Sequence, residues 1–166
     1  MRRCRLDRSA FTLLELVLVM VIIGTVMALA SPSLRGWNRA SRLRDLGSDF
    51  VATTRWARTQ AIATGEIYRV CIDANTGGWW VMRQAGEEFV SEQSGLGGIT
   101  LLPEGFAIEL SLAGQPGNAS YIEFHPTGRT QPARVRIVSD LGDAVYVECP
   151  TPSERFRLVT QGELVR

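Results

Sequence analysis

Few residues in this chain are of the types that carry out catalysis. The only histidine is His125, between Phe124 and Pro126. An active site needs a nucleophile, a base and an orienting group close together, and one histidine at the start of a proline turn does not supply that set. The sequence also has no glycine-rich phosphate loop. We therefore expect neither enzymatic activity nor a cofactor.

The three cysteines, Cys4, Cys71 and Cys149, do not form a metal-binding pattern. None belongs to a CxxC pair or lies near the histidine, so no metal site is predicted. If Cys4 is removed with a leader, Cys71 and Cys149 make an even pair, which could form a disulfide in an oxidising compartment. Two buried free thiols on neighbouring strands would give the same sequence, so both interpretations stay open.

One charged side chain lies where a charge is costly. Residues 11–30 read FTLLELVLVMVIIGTVMALA, and Glu15 is the only charge among them. Burying a carboxylate in hydrocarbon costs about 2.5–3.5 kcal/mol even on mild insertion scales. A function that requires the charge would explain Glu15. The simpler alternative is a side chain that reaches the lipid headgroups from the start of the helix.

The apolar run is long enough to be a transmembrane helix. About 20 residues at about 1.5 Å each give about 30 Å, the thickness of a bilayer core. We therefore predict that residues 11–31 span a membrane. The alternative is a secretory signal cleaved after Ala30, in the small-residue site Ala28-Leu29-Ala30, which would release a secreted periplasmic binding domain. The length of the run and its glutamate disfavour that alternative.

All 18 basic residues are arginines, and they are unevenly distributed. Four precede the apolar run, and four more follow it closely, so the positive-inside count does not decide the orientation. Because the ten-residue leader has no domain to translocate, we expect a cytoplasmic N-terminus and a periplasmic C-terminal domain. From Gly65 onward the chain has 8 arginines against 13 acids, which disfavours binding of polyanions.

A helical period continues after Pro32. Apolar and small residues recur every three or four positions at Trp37, Ala40, Leu43, Leu46, Phe50, Thr54, Ala57 and Ala61. This predicts an amphipathic segment over 33–64 that ends before Gly65 and continues the helix from Phe11. Arginines 35, 39 and 42 form a stripe on it that faces either anionic headgroups or solvent.

From Glu66 the period changes to two. EIYRVCID and WWVMRQ, joined by NTGG, predict a hairpin in which one of Trp79 and Trp80 faces the core. Further strands are predicted at FAIELSL, ASYIEFH, RVRIVS, AVYVEC, RFRLV and ELVR, and residues 84–98 are predicted to be a mobile loop. The predicted fold class is α+β: a leader (1–10), a long helix (11–64) and a mostly antiparallel β domain (65–166).

The N-terminal residues resemble a known signature. A basic leader, a small residue at Ala10, and then FTLLE before an apolar helix resemble the start of type IV prepilins and type II secretion pseudopilins. The resemblance implies that a prepilin peptidase cuts between Ala10 and Phe11 and methylates the new α-amino group of Phe11. Glycine is usual before the cut; Ala10 departs from it but is also small.

The same resemblance assigns roles within the helix. It implies that Glu15 pairs with the N-terminal ammonium of a neighbouring subunit during filament assembly, which would offset the cost of the buried carboxylate. It also implies that Gly24 and Pro32 bracket a stretch that can unwind during assembly. In the alternative interpretation, Gly24 is a packing notch and Pro32 ends the membrane helix.

A second resemblance covers more of the chain. RTQAIATGEIYRVCID, YIEFHPTG and RFRLVTQGELVR resemble the GspH/FimT-like minor pilins. This implies a pilin-like fold and an H-type subunit of a type II secretion pseudopilus in the inner membrane. The implied partners are the prepilin peptidase/methyltransferase, other pseudopilins or pilins, an inner-membrane assembly platform and membrane lipid. The alternative is a FimT-like minor pilin of a type IV pilus.

Some FimT-type relatives bind DNA through a Gly-Arg-x-Arg tail. Here the tail reads GELVR, with Glu163 in place of the first arginine. Arg155, Arg157 and Arg166 remain as candidate nucleic-acid contacts, but nearby acids nearly balance the charge of the C-terminal strands. DNA is therefore not an expected partner.

Overall fold

The computed structural model describes residues 12–113 and 120–159, and it describes side chains in these ranges except at residues 28–38. Its contacts divide the chain into two compact units, Met1–Asn38 and Arg39–Arg166. One helix, α1, runs from Leu13 to Thr64 through the boundary between them. It ends where the sequence predicted, because Gly65 takes a φ of 74°, which is left-handed backbone that favours glycine.

The second unit contains nine described strands in two antiparallel sheets. The strands are β1 (Tyr68–Asp73), β2 (Gly78–Ala85), β3 (Glu88–Glu92), β4 (Thr100–Leu101), β5 (Phe106–Leu112), β6 (Tyr121–Phe124), β7 (Ala133–Ser139), β8 (Ala144–Cys149) and β9 (Arg157–Val159). The first sheet has the order β3-β2-β1-β6, with β4 paired to the start of β2. The second has the order β5-β7-β8-β9. A helix with antiparallel sheets confirms the predicted fold class.

The helical stripe predicted from the sequence is the face of α1 that enters the core of this unit. Its six members from position 43 onward are all buried: Leu43, Leu46, Phe50, Thr54, Ala57 and Ala61. Trp79 on β2 is fully buried, with its ring edge-on to Phe50 at 5.4 Å between centroids. Its indole Nε1 donates a hydrogen bond to Thr53 Oγ1 at 3.3 Å. Trp80 is only partly buried, so one tryptophan faces the core and the other does not, as predicted.

Gly47 allows α1 to lie close to the second sheet. A Cβ at this position would overlap the end of the Leu158 side chain on β9 and would lie 3.3 Å from Val145 on β8. A larger residue could be accommodated only if Leu158 moved or α1 shifted away. Gly47 therefore leaves the space that the end of the Leu158 side chain occupies between this part of the helix and the sheet.

The predicted loop over residues 84–98 is partly wrong. Residues 88–92 form β3, which pairs with β2 along its outer edge after a tight turn at Gly86, where φ is 69°. Phe89 on β3 is anchored by Arg69, whose guanidinium carbon lies 3.5 Å from the centre of the ring. A cation over an aromatic face adds stability to a short edge strand. The predicted strand at 163–166 lies outside the described residues.

Of the two interpretations left open for Cys71 and Cys149, this structure has the free thiols, and both are buried. Cys71 lies on β1 of the first sheet and Cys149 on β8 of the second, so the thiols are not on neighbouring strands. The Cys149 thiol donates to the carbonyl oxygen of Thr151 at 3.1 Å. Burial raises the pKa of Cys71 to about 11 and also raises the pKa of Cys149.

Candidate assembly helix

The first part of α1 is apolar on every face and is uncovered. Its large apolar side chains from Leu13 to Met27 are all exposed, from 44% at Val19 to 83% at Leu13. Burying one such side chain contributes about 1.5–3 kcal/mol, so an uncovered run of them is a strong drive toward lipid or other protein. A helix of this kind needs an apolar environment on all sides.

Within the residues that the structure describes, no helix combines the length and the hydropathy required to cross a membrane. The predicted span, 11–31, includes Phe11 and the side chains of residues 28–31, which lie outside the described part of the chain.

Glu15 lies in the first turn of α1, and its local geometry is that of a capped helix start. The backbone amide of Glu15 donates to Thr12 Oγ1 at 3.3 Å, and the amide of Leu16 donates to the carbonyl of Thr12 at 3.2 Å. A carboxylate in the first turn interacts favourably with the helix dipole, by about 0.3–1 kcal/mol at an exposed site. The Glu15 side chain is exposed and is therefore accessible to a positive group from another molecule.

The capping role of Thr12 is a feature that was not predicted from the sequence. Threonine three residues before glutamate is the spacing of a capping box, and this signal was available in the sequence. The cap fixes where the helix begins and so fixes the turn on which Glu15 lies. Ala10 and Phe11, the predicted cleavage and methylation residues, lie outside the described residues.

Gly24 and Pro32 both lie within continuous helix, since α1 is helical from Leu13 to Thr64. The helix itself therefore does not stop at Pro32, and that Pro32 ends the membrane-spanning part of it stays a prediction. A Cβ at Gly24 would meet no atom of the described residues within 4 Å, so the packing notch at Gly24, which would receive another helix, stays a prediction. Beside it, the Thr25 hydroxyl donates to the Ile22 carbonyl at 2.8 Å. That a stretch here unwinds during assembly stays a prediction, and the Pro32 side chain lies outside the described ones.

The candidate nucleic-acid contacts do not form a joint basic patch in the described structure. Arg157 pairs with Glu148 at 3.2 Å, and Arg134 pairs with the same carboxylate at 3.2 Å. Arg155 is exposed on the loop before β9, and Arg166 lies outside the described residues. Arg39 of the helical stripe pairs with Asp140 at 2.7 Å, so its charge is directed at the β domain.

The described residues offer no group of three or more His, Cys, Asp or Glu side chains that could hold a metal ion. His125 is partly buried, with Nε2 at 4.0 Å from the Glu123 carboxylate. That carboxylate also pairs with Arg69 at 2.7 Å. This arrangement braces β1 against β6 and the turn after it.

The chain matches the family described as type II transport protein GspH over residues 47–159, which is most of its length. The chain belongs to the GspH family. A second match, to the prokaryotic N-terminal methylation motif, covers residues 5–31. The two matches correspond to the two resemblances found in the sequence, and the predicted family is confirmed.

Type II secretion system protein H of Xanthomonas campestris pv. campestris is a curated protein that is similar in sequence to this GspH-family chain. It is 41% identical over 68 residues, which cover 41% of this chain and 40% of the relative. The match thus spans less than half of the relative's length.

Solved structures of similar fold come from two further organisms. The minor pseudopilin EpsH of the type 2 secretion system of Vibrio cholerae matches with a TM-score of 0.62 at 19% identity, over 72% of this chain and 98% of that one. A second EpsH structure matches with a TM-score of 0.63 at 17% identity, over 72% and 94% of the two chains. The solution structure of Escherichia coli GspH matches with a TM-score of 0.55 at 14% identity, over 76% and 93%. At these identities the likeness establishes the fold.

Proposed function

We propose that this GspH-family protein is a minor pseudopilin, the H-type structural subunit of a type II secretion pseudopilus. Its role is in filament assembly. The cleavage and methylation of its N-terminus are carried out by a separate protein, the prepilin peptidase. The observation that carries the proposal is a capped helix that is apolar on every exposed face and has one acid, Glu15, in its first turn. Family membership and the match to the methylation motif support the same role.

The proposed assembly step depends on charge pairing in a medium of low dielectric. Cleavage between Ala10 and Phe11 would give the chain a new α-ammonium group at the start of the helix. That ammonium would pair with Glu15 of a neighbouring subunit, and each helix would supply one partner to the next. A fixed positive partner removes most of the cost of a carboxylate in hydrocarbon. Because the pair forms at one offset only, it would also set the axial register between subunits.

We place the protein in the inner membrane as a single-pass subunit, with residues 11–31 spanning the bilayer, the N-terminus in the cytoplasm and the β domain in the periplasm. The basic leader, the apolar helix and the methylation-motif match over residues 5–31 support this arrangement. Its partners would be the prepilin peptidase/methyltransferase, the other pseudopilins of the filament, the assembly platform and membrane lipid.

The first test is the intact mass and N-terminal sequence of protein isolated from cells with and without the prepilin peptidase. The proposal predicts a chain that begins at N-methylated Phe11 when the peptidase is present and at Met1 when it is deleted. A chain that begins at Ser31 would instead support signal-peptidase cleavage and a secreted domain. A chain that retains Met1 in both strains would identify a plain membrane anchor, and the assembly proposal would be wrong.

A further inference from the structure

A groove with three arginines on its walls lies beside the second half of α1. We call it the arginine groove and define it by Arg55, Arg58 and Arg155. Its volume is about 400 Å³, and it lies between α1, the end of β6 and the loop that precedes β9. All of these elements belong to the second compact unit.

Two buried aromatic rings form the floor of the arginine groove. Phe124 and Phe156 line it and are 1% and 2% exposed, with ring centroids 6.0 Å apart. Ile62 on α1 adds a side chain that is 56% exposed. An apolar floor with a charged rim favours a ligand that has a hydrophobic group next to its charge.

Arg58 fixes the wall of the groove. Its guanidinium donates to the carbonyl oxygen of Ser153 at 2.9 Å and also to the carbonyl of Glu154. Both acceptors belong to the loop that carries Arg155, so Arg58 ties this loop to α1. The groove is thereby preorganised, which lowers the entropy cost of binding.

The charges of the other two arginines of the groove, Arg55 and Arg155, are available to bind an anion. Six arginines of the described β domain and helix pair with carboxylates: Arg39, Arg69, Arg83, Arg134, Arg136 and Arg157. Within the described ranges, neither Arg55 nor Arg155 lies within ion-pair distance of a carboxylate, and both are exposed. Guanidinium groups match carboxylates in geometry and can bind them through two parallel hydrogen bonds.

The charge around the groove indicates what kind of anion would bind. From residue 39 to the end the chain has 13 arginines and 15 acids, so the three arginines of the groove are a local positive site in a segment that is not basic overall. A long polyanion needs many cationic contacts along its length to bind tightly, whereas a short acidic segment needs only the groove. Free inorganic anions would leave the aromatic floor unused.

We propose that the arginine groove binds an acidic segment of a partner protein, in which a carboxylate follows an apolar or aromatic residue. The carboxylate pairs with Arg55 and Arg155, and the apolar residue packs against the exposed side chain of Ile62, above the floor formed by Phe124 and Phe156. This contact lies in the second compact unit, between α1 and the β domain and far along the chain from Glu15, and it goes beyond the proposed helix assembly. It supplies a second, periplasm-facing contact of different chemistry.

The test measures peptide binding to the full chain in detergent micelles by isothermal titration calorimetry. The probe is an acetylated and amidated Gly-Phe-Glu-Asp-Gly peptide, and its uncharged counterpart is Gly-Phe-Gln-Asn-Gly. The protein variant is Arg55→Gln combined with Arg155→Gln. The control, Arg42→Gln combined with Arg44→Gln, removes the same charge from exposed arginines on the same helix but outside the groove.

We expect the acidic peptide to bind the wild-type chain at least about tenfold more tightly than the amide peptide, since each charge-assisted pair adds to affinity. The Arg55/Arg155 variant should lose this preference, while the Arg42/Arg44 control should stay within about twofold of wild type, because rim charges outside the site contribute little. Thermal unfolding of the variants checks that they remain folded, and single variants replace the double one if it does not.

Three results would overturn the proposal. The first is equal affinity of the wild-type chain for the acidic and amide peptides. The second is an equal loss of affinity for the acidic peptide in the Arg55/Arg155 variant and in the Arg42/Arg44 control. The third is tighter binding of a single-stranded oligonucleotide than of the acidic peptide, with the same dependence on Arg55 and Arg155, which would identify a nucleic-acid site instead.

Discussion

Single residues decide the two kinds of chemistry proposed for this chain. At the start of α1, Thr12 caps the helix and places Glu15 in its first turn. In the second half of α1, Arg58 donates hydrogen bonds to the carbonyls of the loop before β9, and Arg55 and Arg155 are the exposed arginines of the proposed binding groove. The acid of the helix start was evident in the sequence because it interrupts an apolar run. The arginine groove was not evident in the sequence, because residues 55 and 155 are far apart in the chain and only the tertiary fold brings them to the same groove.

The buried cysteines provide a prediction at the residue scale. Since burial raises the pKa of Cys71 to about 11 from 9.0, its thiol is neutral in the folded protein at ordinary pH. We expect Cys71 and Cys149 to react with Ellman's reagent at pH 8 only slowly in the native state and rapidly, as two thiols, after unfolding without reductant. The Cys4→Ser variant removes the leader thiol from the count.

The same pKa shift makes the stability of the folded protein depend on pH. The neutral thiol of Cys71 is favoured in the folded state. Its contribution to the free energy of unfolding is therefore complete below about pH 9 and is lost as the pH rises from 9 to about 11.

The reaction with Ellman's reagent has an outcome that would contradict the free-thiol structure. If the unfolded chain released no thiol until a reductant was added, the two cysteines would be bonded to each other.

At the scale of elements, most of the fold was predicted from periodicity. The stop at Gly65 and the hairpin of β1 and β2 follow from a left-handed glycine and from alternating side chains. The edge strand β3 was missed because its segment is rich in Gly, Ser and Glu, and its pairing depends on tertiary contacts such as Arg69 with Phe89. Intrinsic propensity is a weak guide for such edges.

The packing of α1 on the second sheet gives a prediction at this scale. Gly47→Leu would place a large side chain where Leu158 lies, and we expect it to destabilise the protein by about 1–3 kcal/mol. Ser48→Leu, at the next and exposed position of the helix, should change the free energy of unfolding by less than about 0.5 kcal/mol. Chemical denaturation in micelles, followed by tryptophan fluorescence, measures both.

A second-site change strengthens that test. Leu158→Ala added to Gly47→Leu makes room for the new side chain, and we expect it to restore part of the lost stability. If Gly47→Leu were as stable as Ser48→Leu, the helix would not be held against β9 by this contact.

At the scale of the whole molecule, the two proposed contacts use different surfaces of the chain. The apolar helix up to Met27 is suited to lipid and neighbouring helices, whereas the second half of α1 and the β domain share one hydrophobic core. Since the two are separate compact units, changes in one should leave the other folded. Helix variants can therefore be judged by assembly, with the folded β domain as the internal control.

The measurement that tests the central claim most directly is the amount of Glu15→Ala protein recovered in sheared pseudopili, relative to the amount in the membrane. We expect normal membrane insertion and normal cleavage at Phe11, but at least about a tenfold lower incorporation, because the ammonium of the neighbouring subunit would lack its carboxylate. Glu15→Asp, which keeps the charge, should retain part of the incorporation. Wild-type incorporation of Glu15→Ala would contradict the account.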